Sequence, residues 1–230
     1  MSTRGTTGTL LVPYYEHPLI RPAEWEAVLA AAPRLHGVVL NPASGPGDHP
    51  DPAFAALAER LRTAGVRVLG YADTAYGARP HHQVVRDIQR HRDWYGADGV
   101  FFDQTASGPD GFPHYQALAS AAWAAGCAHL VLNPGVPPHP WYGRIADVLV
   151  TFEGTWDTYR GLPPTAWAGT PTRQCHLVYG VPAEAGDTVA ELARARGAAV
   201  HCAVPGGGRH PWGTLPYGLS SLPSPVRPAP

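Results

Sequence analysis

Residues 99–104 read Gly-Val-Phe-Phe-Asp-Gln, an uninterrupted apolar run that ends in a carboxylate. Such a run is typical of a β-strand that is buried on both faces, as in a parallel sheet. The pattern recurs at 148–153, which ends in Glu153, and at 66–73, which ends in Asp73. Because parallel strands end at the same edge of a sheet, we expect these carboxylates to lie close together.

Eight predicted strands alternate, for the most part, with predicted helices. The strands are 9–13, 37–41, 66–73, 99–103, 129–133, 145–152, 174–179 and 198–203. Eight parallel strands close a single (β/α)8 barrel of TIM type, for which ~250 residues is the usual size. This α/β barrel is the predicted fold. An open doubly wound sheet is the alternative, and the lack of a Gly-x-Gly-x-x-Gly after the first strand disfavours its dinucleotide-binding form.

The predicted domain plan has one barrel with two flanking segments. Residues 1–8 are expected to be a flexible N-terminus, 9–204 the barrel, and 205–230 a Pro/Gly-rich C-terminal tail on the surface. Hydrophobic residues make up 44% of the 230-residue chain, which is enough for a core of this size. We expect a monomer.

The charge pattern excludes several classes of function. The net charge is −1 and the sequence contains no Lys, which removes Schiff-base and P-loop chemistry and gives no basic surface for nucleic acid. No apolar run approaches the ~20 residues of a membrane span. No signal peptide is visible at the start, so we expect a cytoplasmic protein, with export by another route left open.

The metal-binding residue types do not form a ligand pattern. The three cysteines, Cys127, Cys175 and Cys202, are widely spaced and are predicted to be buried free thiols. The 12 histidines lack His-Glu-x-x-His or a comparable spacing. We therefore expect neither a metal nor a cofactor.

The ends of the predicted strands carry carboxylates, amides and aromatic rings. They have no clustered Arg and no obvious nucleophilic Ser or Cys. Two acids with aromatic platforms suit cleavage of a glycosidic bond, since one carboxylic acid protonates the leaving oxygen and the other acts as nucleophile, base or stabiliser. The candidate catalytic residues are Asp103 and Glu153. The candidate substrate-binding residues are Tyr14, Asn41, Tyr71, Asp73, Gln104, Asn133 and Trp156.

Several motifs resemble the spherulin-4-like family, also called spherulation-specific family 4. They are Asn-Pro-x-Ser-Gly-Pro-Gly at 41–47, Gly-Tyr-x-Asp-Thr-x-Tyr-Gly at 70–77, Asp-Gly-Val-Phe-Phe-Asp at 98–103, Asn-Pro-Gly at 133–135 and Ala-Asp-Val-Leu-Val-x-Phe-Glu at 146–153. The resemblance implies a (β/α)8-type barrel and an endo-acting glycoside hydrolase. Its substrate would be an α-1,4-linked exopolysaccharide that contains N-acetylgalactosamine. The family's acids at the ends of strands four and six would be Asp103 and Glu153.

One departure from the family leaves the activity open. The hydrolases typically carry Asp-Glu after strand four, whereas this chain has Asp103-Gln104. Gln neither ionises nor shuttles a proton. A non-catalytic sugar-binding barrel and a small-molecule enzyme on the same fold are therefore the alternatives to a hydrolase.

Structural roles compete with the functional interpretation at most of these positions. Asp73 suits capping of the following helix as well as a substrate contact, and Asn41 and Asn133 each precede Pro and suit turn geometry. Pairing of the two acids with Arg79 or Arg144 would make them structural. Carboxyl groups about 5 Å apart would indicate a retaining enzyme, and ~6.5–9.5 Å an inverting one.

Overall fold

Eight parallel strands form a closed barrel in the order of the sequence. The computed structural model describes residues 9–163 and 172–219. The strands are β1 (Leu10–Pro13), β2 (Leu35–Leu40), β3 (Val68–Asp73), β4 (Gly99–Asp103), β5 (His129–Leu132), β6 (Val148–Thr155), β7 (Arg173–Tyr179) and β8 (Ala198–Ala203). The predicted TIM-type barrel is confirmed, and the sheet is not open.

Helices cover the outside of the barrel unevenly. They are α1 (Pro22–Ala30), α2 (Pro52–Thr63), α3 (His81–Tyr95), α4 (Phe112–Ala124), α5 (Trp156–Arg160) and α6 (Gly186–Ala195). The Asp51 side chain caps the start of α2, where it accepts hydrogen bonds from the backbone N–H of Ala53 and Phe54. The helix between β6 and β7 is only five residues long.

The strands are buried on both faces, as the unbroken apolar runs predict. One cluster fills the barrel interior and includes Leu69, Phe101 and Val150. Separate clusters pack between the strands and the helices. Gly99 opens β4 because a Cβ there would lie 2.0 Å from the backbone oxygen of His129 on β5. The three cysteines are free and buried, as predicted.

The segment that follows β8 differs in part from the predicted surface tail. Its described part, 205–219, folds back onto the barrel and is not simply a surface tail. The side chain of Trp212 is 8% exposed and belongs to the interior cluster. The backbone oxygen of Trp212 accepts a hydrogen bond from the Tyr15 N–H at 3.0 Å. The predicted flexible N-terminus, 1–8, and the remaining tail, 220–230, lie outside the described residues.

Among the residues that the structure describes, no helix combines the length and the apolar character needed to cross a bilayer.

Candidate active site

Asp103, Asn133 and Glu153 meet at the carboxyl end of the barrel. They stand at the ends of β4, β5 and β6, three neighbouring strands. Asn133 Nδ2 donates to Asp103 Oδ1 at 2.7 Å and to Glu153 Oε2 at 2.5 Å. The distance between Asp103 Oδ1 and Glu153 Oε2 therefore cannot exceed the sum of these two hydrogen-bond lengths. The convergence expected from the sequence is present, and its centre is an amide shared by both acids.

Asp103 is held by three donors. Besides Asn133, the Tyr71 hydroxyl donates to Asp103 Oδ2 at 2.7 Å, and the backbone N–H of Gln104 contacts the same carboxyl group. Gln104 reaches this position with φ of +48°, in the left-handed region that non-glycine residues seldom adopt. Burial raises the pKa of the Asp103 carboxyl, and these hydrogen bonds oppose that increase because they stabilise the ionised form.

Glu153 is the more strongly perturbed acid. Burial raises its pKa from 4.5 to about 7, and the negative charge of Asp103 acts in the same direction. Hydrogen bonds from the side chains of Asn133 and Trp212 oppose the shift. A carboxyl group with a pKa near neutrality can hold a proton and release it at physiological pH.

Neither acid is neutralised by an arginine. No ion pair among the described residues includes Asp103 or Glu153. Arg79 instead pairs with Asp87 at 2.5 Å and donates to the backbone oxygen of Asp73. Pairing with Arg79 or Arg144, which would have made the two acids structural, is therefore not found in 9–163 and 172–219.

A cavity of about 410 Å³ opens above the two acids. Its rim carries Tyr76, whose side chain is 66% exposed, and Val136, which is 50% exposed. Gln104 and Tyr179 also line it. An exposed aromatic ring at the mouth of a carboxylate-lined cavity can stack on an apolar ligand face.

Three of the predicted substrate-binding residues lie at this cavity. Gln104 and Asn133 line it, and Tyr71 binds Asp103 from below. The substrate contacts of these residues stay predictions. Asn133 has a structural role as well, since its Oδ1 accepts from the Gly135 N–H at 3.1 Å.

The other four predicted substrate-binding residues have different surroundings. Tyr14 is 2% exposed and packs edge-on against Trp25 outside the barrel, and Trp156 packs against the outer cluster around Tyr159. Asn41 Oδ1 accepts from the Gly45 N–H, and Asp73 Oδ1 accepts from the Ala75 N–H at 2.8 Å, so both stabilise turns. Tyr14 and Trp156 are not among the residues that line the cavity, and their substrate contacts stay predictions.

Four aromatic residues at the site are absent from the candidate list. They are Tyr15, Tyr76, Tyr179 and Trp212. Tyr15 occupies the place proposed for Tyr14, because side chains alternate along the strand: Leu11 and Tyr15 face the interior, whereas Val12 and Tyr14 face the helices. Tyr76 lies three residues beyond the end of β3 and Tyr179 is the last residue of β7, so the sequence could have indicated both as aromatic residues at strand ends.

The described residues contain no group of three or more His, Cys, Asp or Glu side chains placed to hold a metal ion.

The fold and the site together define a (β/α)8-barrel protein with a paired-carboxylate cavity at the carboxyl ends of its strands. A family model described as spherulation-specific family 4 matches residues 9–209. The chain belongs to this family, as its motifs predict.

Two kinds of relatives accompany the family match. Spherulin-4 of Physarum polycephalum is 34% identical over 149 residues, which are 63% of this chain and 44% of that protein. The match thus spans less than half of that relative's length. Sph3 of Aspergillus clavatus, solved in complex with GalNAc, superposes with a TM-score of 0.75 at 24% identity and covers 93% of this chain and 95% of that one.

A more distant structure shares only the general architecture. The BexX/CysO complex of Amycolatopsis orientalis gives a TM-score of 0.51 at 17% identity, over 89% of this chain and 82% of that one. At these identities the structural likenesses establish the fold.

Proposed function

We propose that the protein is a glycoside hydrolase that cleaves an α-1,4-linked amino-sugar polysaccharide of the galactosamine or N-acetylgalactosamine type. The observation that carries the proposal is the single amide nitrogen of Asn133 hydrogen-bonded to both Asp103 and Glu153. Glycosidic cleavage needs two carboxyl groups on either side of one bond. The solved relative that binds GalNAc supports the choice of sugar.

The two acids are suited to different roles. Glu153, with its pKa raised to about 7, is protonated often enough at neutral pH to donate a proton to the leaving oxygen. Asp103 accepts three hydrogen bonds, which favour its ionised form. We assign Glu153 as general acid/base and Asp103 as the carboxylate that faces the anomeric carbon.

The short separation of the acids favours retention of configuration. Retaining enzymes hold their carboxyl groups about 5–5.5 Å apart, and inverting enzymes about 6.5–9.5 Å apart to admit a water molecule. Asp103 would attack the anomeric carbon as the glycosidic C–O bond breaks and Glu153 protonates the departing oxygen. Glu153 would then take a proton from water, whose oxygen displaces Asp103 and frees the enzyme.

Hydrolysis is tested with purified protein and two polymers, acetylated and deacetylated galactosaminan. We expect oligosaccharides from at least one of them, and NMR of the first product should show the anomer of the original linkage. Glu153→Gln and Asp103→Asn should each lower the rate at least about a hundredfold. Glu184→Gln and Asp110→Asn change exposed carboxylates and serve as matched controls. No product from either polymer, together with no effect of Glu153→Gln, would reject hydrolysis.

Gln104 favours a second candidate, a sugar-binding barrel without turnover. Its amide lines the cavity where the family's hydrolases typically have a Glu, and amides bind hydroxyl or N-acetyl groups. This candidate predicts saturable oligosaccharide binding with no cleavage. It also predicts that Gln104→Glu creates cleavage, whereas the hydrolase proposal requires cleavage by the unchanged protein.

A further inference from the structure

A second cavity, of about 430 Å³, lies on the outside of the barrel beside β6 and β7. Here the covering helix α5 has only five residues, whereas helices average about 11–12. The cavity shares Gly135, Val136 and Glu153 with the candidate active site. Among the described residues, the outer sheet face beside the strand that carries Glu153 is thus only partly covered.

Arg196 lines this second cavity, and its side chain is 5% exposed. Its Nη2 donates to the backbone oxygen of Leu162 at 2.7 Å, and its guanidinium lies 4.5 Å from the centre of the Tyr159 ring. Arg196 follows α6 directly, where the helix dipole favours a cation.

These contacts leave part of the guanidinium unsatisfied. Its Nε and Nη1 are buried and have no hydrogen-bond partner among the residues that the structure describes. Arg196 takes part in none of the ion pairs within 9–163 and 172–219, and the remaining segments of the sequence contain no Asp or Glu. A buried Arg is rare without a charged partner, and a buried charged group that lacks a hydrogen bond lowers the free energy of unfolding. A bound anion would supply the missing acceptor atoms.

The rest of the lining restricts the kind of anion. Much of the wall is apolar and includes Val136, Pro137, Phe152, Leu162 and Pro163. Glu153 is the acid in the lining, and burial raises its pKa to about 7. The Thr151 hydroxyl donates to Gln174 Oε1, and His176 Nδ1 shares a hydrogen bond with the Tyr159 hydroxyl. A single cation among apolar walls matches a ligand with one negative charge and an apolar body better than a phosphate dianion.

We propose that this cavity binds a small monocarboxylic acid, with its carboxylate on Arg196 and its apolar body against Phe152 and Leu162. Nε–H and Nη1–H lie on different edges of the guanidinium, so one oxygen of a carboxylate can accept from one of them while the second oxygen faces Nη2. The site adjoins the sugar cavity, with which it shares Gly135, Val136 and Glu153, and binding there does not require hydrolysis.

Calorimetric titration with benzoate tests the site, and benzamide serves as the uncharged isostere. We expect saturable binding of benzoate and binding of benzamide that is about tenfold weaker or more, because a hydrogen-bonded charge is lost. Inorganic phosphate should not bind. Equal binding of the two aromatic probes, absence of benzoate binding, or tighter binding of phosphate would overturn the proposal.

Two substitutions locate the binding. Arg196→Gln should abolish benzoate binding, whereas Arg194→Gln removes an exposed charge from the same helix and should leave it intact. Thr158→Phe narrows the cavity at an exposed position without changing Arg196, so it tests the site if Arg196→Gln fails to fold. Benzoate binding that survives Arg196→Gln or Thr158→Phe unchanged would refute this location.

Discussion

Replacing Glu153 with Gln is expected to stabilise the fold at alkaline pH. Burial raises the pKa of the folded protein's Glu153 from 4.5 to about 7. The unfolded chain therefore releases this proton near pH 4.5, and the folded chain keeps it until about pH 7. The contribution of Glu153 to folding is fully present below the unfolded pKa and is lost as pH increases through the folded one.

The magnitude follows from the size of the pKa shift. One pKa unit corresponds to about 1.4 kcal/mol, so ionisation of buried Glu153 should cost the wild type about 3 kcal/mol between pH 4 and pH 8. Gln does not ionise, and its amide oxygen can still accept the hydrogen bond from Asn133. The variant should therefore avoid this loss of stability.

Urea unfolding at several pH values measures the effect. The free energy of unfolding of Glu153→Gln, relative to wild type, should increase by about 3 kcal/mol from pH 4 to pH 8. Glu184→Gln makes the same change at an exposed position and should follow the wild type throughout. A difference that does not vary with pH, or a variant less stable than wild type at pH 8, would refute the inferred desolvation of Glu153.

Three further predictions concern the cavity. Asn133→Ala removes the donor shared by both acids, so the pKa of each should rise and the pH profile of kcat/KM should move upward. Asn41→Ala, which loses a turn hydrogen bond elsewhere, should not move it. Gln104→Glu adds a negative charge beside Asp103 and should raise the pKa that limits activity at acid pH. A pH profile of kcat/KM that is unchanged on its acid side would contradict this. Tyr76→Ala should raise KM several-fold with little change in kcat, whereas Tyr76→Phe keeps the stacking surface and should match wild type. If Tyr76→Ala and wild type have equal KM values in steady-state assays, the ring does not stack on the substrate.

The barrel and its central acids could be predicted from the sequence because strong local signals mark them. Apolar runs that end in Asp103 and Glu153 indicate both the strands and the edge at which their side chains meet. The same runs do not indicate which residues face the barrel interior. A strand buried on both faces has no alternation of polar and apolar residues, so neither Tyr14 nor Tyr15 is favoured by pattern alone.

Long-range contacts account for what the sequence did not indicate. Trp212 reaches the interior from a Pro/Gly-rich segment whose composition indicates a loop, and only the return of the chain across the barrel places it beside Glu153. The hydrogen bonds from Asn133 to both acids could likewise not be predicted, since Asn before Pro also fits an ordinary turn.

The bridge through Asn133 has an evolutionary consequence. The amide stands at the end of β5, between the strands that carry the two acids, so the interval between the acids is fixed by the lateral spacing of neighbouring strands in the sheet. Loops around the rim can lengthen, shorten or be exchanged without altering that interval. Descendants of this scaffold could therefore diversify in the ligands they recognise while inheriting the same placement of the two acids.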